Sequence, residues 1–385
     1  MAGREDCMDW RLMLLYNDPS IKLKMANTIT KKTSGNGLQK NGRSKIATVD
    51  LLRKNGVRSL GFARDDEKAR NDGKVRNDGK ERNGVKTQNG VKGDRIPVLK
   101  TYKLYIGGAF PRTESGRYYI AENGHGEKLA NVCLGSRKDF REAIVSARNA
   151  VGGWGSKSAS NRGQILYRIA EMLESRRAQF IDELIKQGSK KQEAEEEVNL
   201  SVDRLIYYAG WCDKFQQINS SVNPVASSHF NFSVPEPTGV VAIIAPQQTS
   251  LLGLVSVIAP VICGGNSCVV LASFQKPLCA ITFAEVLNSS DVPGGVVNII
   301  TGKISELATY FADHMDVNAV VFCEYDPEMQ KMIKEKSSLN LKRVILYDKM
   351  NWVADGQSPY LIMDTQEIKT TWHPIENIGG GKAGY

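Results

Sequence analysis

Seven cysteines and four histidines are the side chains of this 385-residue chain best suited to nucleophilic, metal or proton-transfer chemistry. A thiolate attacks carbonyls and binds soft metals, and an imidazole changes charge near neutral pH, so spacing decides which chemistry is open. The cysteines show no paired metal spacing and no disulfide framework. Cys263 and Cys268 are close in sequence but fall on different predicted elements. His125, His229, His314 and His373 are scattered, with no Cys–His or Ser–His spacing for a triad. Cys323 stands beside Glu324 and ahead of a helix start. An adjacent carboxylate raises a thiol pKa, so Cys323 reads as a buried or incidental thiol rather than a nucleophile. The other cysteines fall mostly in apolar runs, where a free Cys behaves as a small hydrophobe. The helix after Cys323 looks self-capped, with Asp326 at the N-cap, Pro327 in the first turn and Glu328 just inside. A carboxylate cap occupies the donors that would otherwise bind phosphate and also repels the anion.

The elements that must position such groups centre on 236–302. The run 240–246 is apolar between Gly239 and Pro246 and reads as a strand buried on both faces. Residues 249–263 are uncharged and long enough for a helix, closed by Gly264-Gly265-Asn266; 268–271 is a second buried strand. Residues 277–287 read as another helix, and 296–300 as a third strand ending at Thr301-Gly302. Strand and helix in alternation predict a doubly wound parallel α/β sheet, whose ligands bind beyond the carboxyl ends of the strands. Those ends are Ala245-Pro246, Leu271-Ala272-Ser273 and Thr301-Gly302. The uncharged run 251–274 could be taken for a membrane span, but Pro260 and Gly264-Gly265-Asn266 divide it into two packed elements.

Before this core, strands are expected over 103–106 and 129–133, with a loop around Gly116 between them. Ser136 with Asp139 resembles a capping box opening one helix, and Ser160 opens a second. A third helix runs from about 190 to 215. Residues 216–234 are polar and then alternate, which puts Phe230 and Phe232 on one side of a strand.

The formal charge of +9 sits in the first hundred residues, which hold 23 Lys and Arg against 12 Asp and Glu. Four six-residue units over 70–93, rich in Asn-Gly and Asp-Gly, are too poor in large apolar residues to offset ordering entropy, so 1–100 reads as a disordered basic low-complexity region. A six-residue β-helix would need regular inward apolar positions, which Val75, Val85 and Val91 do not supply. Interleaved acids and the lack of aromatics over 68–100 argue against nucleic-acid binding. Glu5, Asp6 and Asp9 argue against a secretory or mitochondrial leader, and a cytoplasmic protein is expected.

Several motifs carry a resemblance. Gly239-Val240-Val241 to Pro246, Ile258-Ala259-Pro260, Gly265-Asn266 and Asp291-Val292-Pro293-Gly294-Gly295-Val296-Val297-Asn298 resemble the cofactor domain of aldehyde dehydrogenases. Tyr102 to Gly108, Ser136 to Asp139, Tyr207 to Trp211 and Leu341-Lys342-Arg343 are most similar to the second, degenerate module of family-sixteen members. The resemblance implies a Rossmann-like cofactor domain over 101–348, with 216–235 as a projecting oligomerisation arm. A linker over 349–363, a C-terminal oligomerisation strand over 364–376 and a flexible tail over 377–385 complete the expected organisation.

For a working member the resemblance implies a Cys nucleophile, an oxyanion Asn, a base Glu, a ribose-binding Lys and a Gly-rich phosphate loop. At the matching positions stand Gln248 for the Asn, Tyr347 for the Glu, Ala272-Ser273 for Lys-Pro, and Cys323-Glu324-Tyr325 for Thr-Gly-Ser. Ala245, Pro246, Gln247, Ala272, Ser273 and Glu324 are the degenerate cofactor-site positions. No Cys follows Cys323, so the catalytic domain is expected to be largely absent. The expectation is a catalytically inactive subunit assembling with itself or with a complete aldehyde dehydrogenase. No cofactor and no metal are expected. The alternative is NAD(P)-dependent oxidation of an aldehyde group.

Overall fold

The computed structural model describes residues 98–375; the readings of the basic low-complexity segment and of the tail over 377–385 lie outside the described residues.

The chain enters through a small mixed sheet of order β1–β3–β2, built from β1 (Thr101–Tyr102), β2 (Tyr118–Glu122) and β3 (Lys128–Cys133). The strand expected over 103–106 is not regular. Gly107 and Gly108, both at positive φ, turn the chain back, so that Ile106 pairs with Ala109 while Tyr105 exchanges two backbone hydrogen bonds with Ile299. Glycine takes that conformation without the steric cost a Cβ would bring.

Helix α1 (Arg137–Gly155) begins as its sequence predicts. Ser136 accepts from Lys138 and Asp139 N–H, and the Asp139 carboxylate accepts from Ser136 N–H at 2.7 Å. α2 (Ala159–Ser175) is capped by Ser158, two residues before the expected Ser160. α3 (Arg177–Lys186), α4 (Lys191–Trp211) and the short α5 (Phe215–Asn219) lead to the hairpin strands β4 (Ser221–Asn223) and β5 (His229–Pro237).

Strands and helices then alternate through β6 (Val240–Ile244), α6 (Leu252–Cys263), β7 (Ser267–Leu271), α7 (Leu278–Asn288) and β8 (Val297–Ile300). α8 (Ile304–Asp313), β9 (Ala319–Phe322), α9 (Pro327–Ser338) and β10 (Arg343–Leu346) follow. The five strands form one parallel sheet of order β10–β9–β6–β7–β8. Every residue of β6 to β9 is buried, which is why these strands read as apolar runs rather than alternating ones. Val241, Ile243, Cys268 and Val270 pack with α6 and α7; Val240, Ala242, Ile244 and Val269 pack with α1 and α8. Each Val and Ile among them contributes about 1.5–3 kcal/mol of burial. The crossover from β8 to β9 reverses the direction of winding, so the topological switch point lies between β6 and β9.

All twelve residues of α6 are buried, and the helix stops at Gly264 before β7 begins. No helix among the described residues is long and apolar enough to cross a membrane. The last elements are α10 (Tyr360–Met363) and β11 (Gln366–Pro374). β11 pairs antiparallel with the whole of β5, from Gln366 opposite Pro237 to Pro374 opposite His229, giving a sheet of order β11–β5–β4. The alternating strand expected at the C-terminal end and the arm expected over 216–235 thus meet in one sheet.

One buried group makes stability depend on pH. In the helical layer, Glu183 of α3 accepts from Tyr102 Oη at 2.8 Å and Thr282 Oγ1 at 2.7 Å, both at Oε1, while its buried Oε2 has no partner among the described residues. Burial raises its pKa against the opposing pull of those two hydroxyls. The folded state therefore keeps this proton to a higher pH than the unfolded chain, whose Glu titrates near about 4.3. Its contribution is complete below that value and is lost as pH rises toward the folded pKa. Glu183→Gln should be less stable than, or equal to, the wild type near pH 4.5 and gain relative to it toward pH 7. Urea denaturation of both proteins across that range checks it; a constant difference would show that folding leaves the Glu183 pKa unchanged.

Candidate functional site

The carboxyl ends of β6, β7 and β9 define the crevice where a doubly wound sheet holds its ligand. Here the protein's own side chains fill it. Ala245, Pro246 and Gln247 continue β6 and are buried, as are Ala272 and Ser273 after β7. Gln247 ties the two loops together: its Nε2 donates to Ala245 O at 2.9 Å and its Oε1 accepts from Phe274 N–H at 2.8 Å. Ser273 Oγ donates to Gln247 O at 2.9 Å and accepts from Lys276 N–H at 3.0 Å. These bonds are local and self-contained, and Ala272 supplies no cation to a neighbouring ribose.

The decisive residue is Glu324, just beyond β9. Its Oε1 accepts from Gln247 N–H at 2.6 Å across the switch point, and Gln248 Nε2 donates to its Oε2 at 3.4 Å. The Glu324 carboxylate therefore occupies one backbone donor of the β6 loop and lies within reach of the Gln248 side-chain amide. Next along the chain, Asp326 Oδ1 accepts from Met329 N–H at 3.0 Å, capping α9 as the sequence predicts. One helix-terminal donor and one strand-end donor are thus met by carboxylates. A phosphate oxygen approaching Gln247 N–H would meet the Glu324 carboxylate first.

The other sequence-predicted positions are equally committed. Tyr347 follows β10, and its hydroxyl donates to Asp364 Oδ2 at 2.6 Å. Burial first, and Asp364 second, push its pKa upward, so it is a neutral donor rather than a base. Cys323 is buried, and burial pushes its thiol well above the usual range, with Glu324 adding to the effect. Burial is therefore the main reason that the thiol stays protonated, and the adjacent carboxylate named from the sequence is secondary. Among the described residues no group of three or more His, Cys, Asp or Glu is placed to hold a metal ion.

Two residues that hold α6 escape sequence reasoning. Glu197 of α4 accepts from Leu251 and Leu252 N–H at 2.9 and 3.1 Å, capping α6 from outside its own segment. Nothing in the run Glu195-Glu196-Glu197 distinguishes it. Arg204 is fully buried and donates to Ser256 Oγ at 2.7 Å and Trp352 O at 3.0 Å. Its position on the apolar face shared by Ser201, Leu205 and Tyr208 was a readable signal.

Residues 111–375 match the aldehyde dehydrogenase family. The mitochondrial 10-formyltetrahydrofolate dehydrogenase of Homo sapiens is 30% identical over 71% of this chain and 30% of its own length. The cytosolic 10-formyltetrahydrofolate dehydrogenase of Xenopus tropicalis is 31% identical over 69% of this chain and 30% of its own length. The chain thus spans about a third of the length of these relatives. Among solved structures, the NAD⁺ complex of an aldehyde dehydrogenase from Bacillus cereus superposes with a TM-score of 0.61 at 26% identity, covering 64% of this chain and 50% of that one.

Proposed function

The chain belongs to the aldehyde dehydrogenase family, and from that premise we propose that it serves as an assembly or regulatory subunit, with itself or with a catalytically complete relative, rather than as a hydride-transferring enzyme. The observation that carries this reading is the Glu324 carboxylate on Gln247 N–H at the switch point. Absence of a bound dinucleotide and a cytoplasmic location belong to the same proposal, as does the finer likeness to the second module of family-sixteen members.

The β11–β5–β4 sheet supports the assembly half. Phe230, 45% exposed, and Val222 lie on one face with Phe232; Trp372, 57% exposed, and Ile368 lie on the other. An antiparallel sheet commonly keeps one polar, solvated face. Exposed apolar side chains on both, beside a nine-residue strand whose outer edge pairs with nothing among the described residues, mark a surface for another chain. Arg343 fixes the root of that strand, donating to Gln366 O at 2.6 Å and pairing with Glu367 at 3.0 Å.

Sedimentation equilibrium of the full chain at micromolar concentration should give a dimer or larger species, and Phe230→Glu combined with Trp372→Glu should give a folded monomer. A wild-type monomer that also fails to co-sediment with a complete aldehyde dehydrogenase would overturn the assembly reading. The alternative, NAD(P)-dependent aldehyde oxidation, draws on the amide retained at Gln248. It requires Glu324 to leave that amide and the crevice.

A further inference from the structure

Cys212 and Cys263 approach each other although 51 residues separate them in sequence. Cys212 caps the C-terminal end of α4, and Cys263 is the last residue of α6. Cys212 Sγ donates to Cys263 Sγ at 3.4 Å, and Cys263 Sγ donates to Tyr208 O at 3.3 Å. Both side chains are buried. Cys212 lines a cavity of about 230 Å³ bounded by Gly163, Tyr167, Gly210 and Lys214, whereas Cys263 lies behind it.

We infer that Cys212 and Cys263 form a redox-active dithiol site that peroxide converts to an intramolecular disulfide. Cys212, the member facing the cavity, attacks one peroxide oxygen as its thiolate; the O–O bond breaks, and hydroxide leaves and takes up the proton that Cys212 lost, as water. The resulting sulfenic acid lies in contact with the Cys263 thiol. Cys263 sulfur attacks it, forming the S–S bond, and its proton leaves with the hydroxide as a second water. Two thiols lose two electrons, and one peroxide becomes two waters. Burial holds the Cys263 thiol protonated until that second step, which suits a resolving rather than an attacking sulfur. The sulfurs must close from 3.4 Å to about 2.05 Å, a movement within reach of two helix ends. Among the described residues no other pair of cysteines makes a sulfur–sulfur hydrogen bond.

The reduced full chain, treated with hydrogen peroxide and then unfolded, should have lost two of its seven thiols, and peptide mapping should join the peptides carrying Cys212 and Cys263. The cross-link should raise the melting temperature by several degrees, reversibly with a dithiol reductant. In Cys263→Ser, dimedone should trap a sulfenic acid at Cys212; in Cys212→Ser, Cys263 should stay reduced. Phenylarsine oxide, which chelates two adjacent thiols, should bind the wild type and neither variant. That measurement holds even if a variant melts early, since it is positive on the wild type. A wild type that ignores both reagents, links other cysteines, or accumulates sulfinic acid at Cys212 without the disulfide would overturn the inference.

Discussion

Replacing Arg204 with alanine should destabilise the fold by about 3–5 kcal/mol, and denaturant titration should register it as a large fall in midpoint. The guanidinium is fully buried with no carboxylate beside it among the described residues, and burial lowers its pKa. What compensates is a set of carbonyl and hydroxyl acceptors: Ser256 Oγ on α6, and Trp352 O and Val353 O on the segment after β10. Tyr208, one turn further along α4, donates to Gly356 O at 2.7 Å and Ser358 O at 3.2 Å. Together they pin 349–363 onto the helical layer, and that segment carries β11. Alanine would leave a cavity and orphan two backbone carbonyls, whereas Arg204→Met would refill most of the volume and should cost about half as much. A Cβ added at Gly356 would overlap the guanidinium, so Gly356→Ala should mimic the loss by displacing the clamp. If Gly356→Ala were as stable as the wild type within about 0.5 kcal/mol, the guanidinium could not be packed there.

Where local chemistry decides structure, the sequence is easily read. The apolar runs of β6, β7 and β8, the break at Gly264-Gly265-Asn266, the capping box at Ser136 and the cap at Asp326 depend on residues within a few positions of each other. The structure forms all of them. What is hidden depends on long-range contacts. β2 lies in a stretch read as loop because its pairing with β3 is set by the turn between them rather than by a strong apolar pattern. The strand expected at 103–106 yields to Gly107 and Gly108, whose turn spends its backbone hydrogen bonds on Ala109 and Ile299. At the crevice, Glu324 and Gln248 stand out in the sequence one by one. That the two side chains meet, with Gln247 N–H as the third member, is not legible there, because 76 residues separate them. Glu197 and Arg204 act on α6 from α4 for the same reason: a carboxylate or guanidinium in a helix does not announce which neighbouring element it will satisfy.

The closing of the crevice by Glu324 predicts a gain of binding on its removal. Titration of the full chain with NAD⁺ by calorimetry should give no heat and no thermal stabilisation up to millimolar concentration. Glu324→Gly with Asp326→Ser should bind at least tenfold and up to about a hundredfold more tightly, about 1.4–2.8 kcal/mol. The physical reasons are separable. Glycine at 324 frees Gln247 N–H and the Gln248 amide to face an incoming phosphate oxygen and removes a negative charge from its path. Serine at 326 keeps an N-cap oxygen for Met329 N–H, so α9 stays capped while its N-terminal charge becomes favourable to an anion. The gain should shrink as salt screens the anion, and it should stay short of a working enzyme because Ala272 supplies no cation and Tyr347 is held by Asp364. Micromolar NAD⁺ binding by the wild type would mean that Glu324 swings away at little cost, and the assembly reading would lose the observation that carries it. A folded double variant with no gain would place the obstruction instead in the Gln247–Ser273 stitching between the β6 and β7 loops, where Gln247→Ala is the next substitution to make.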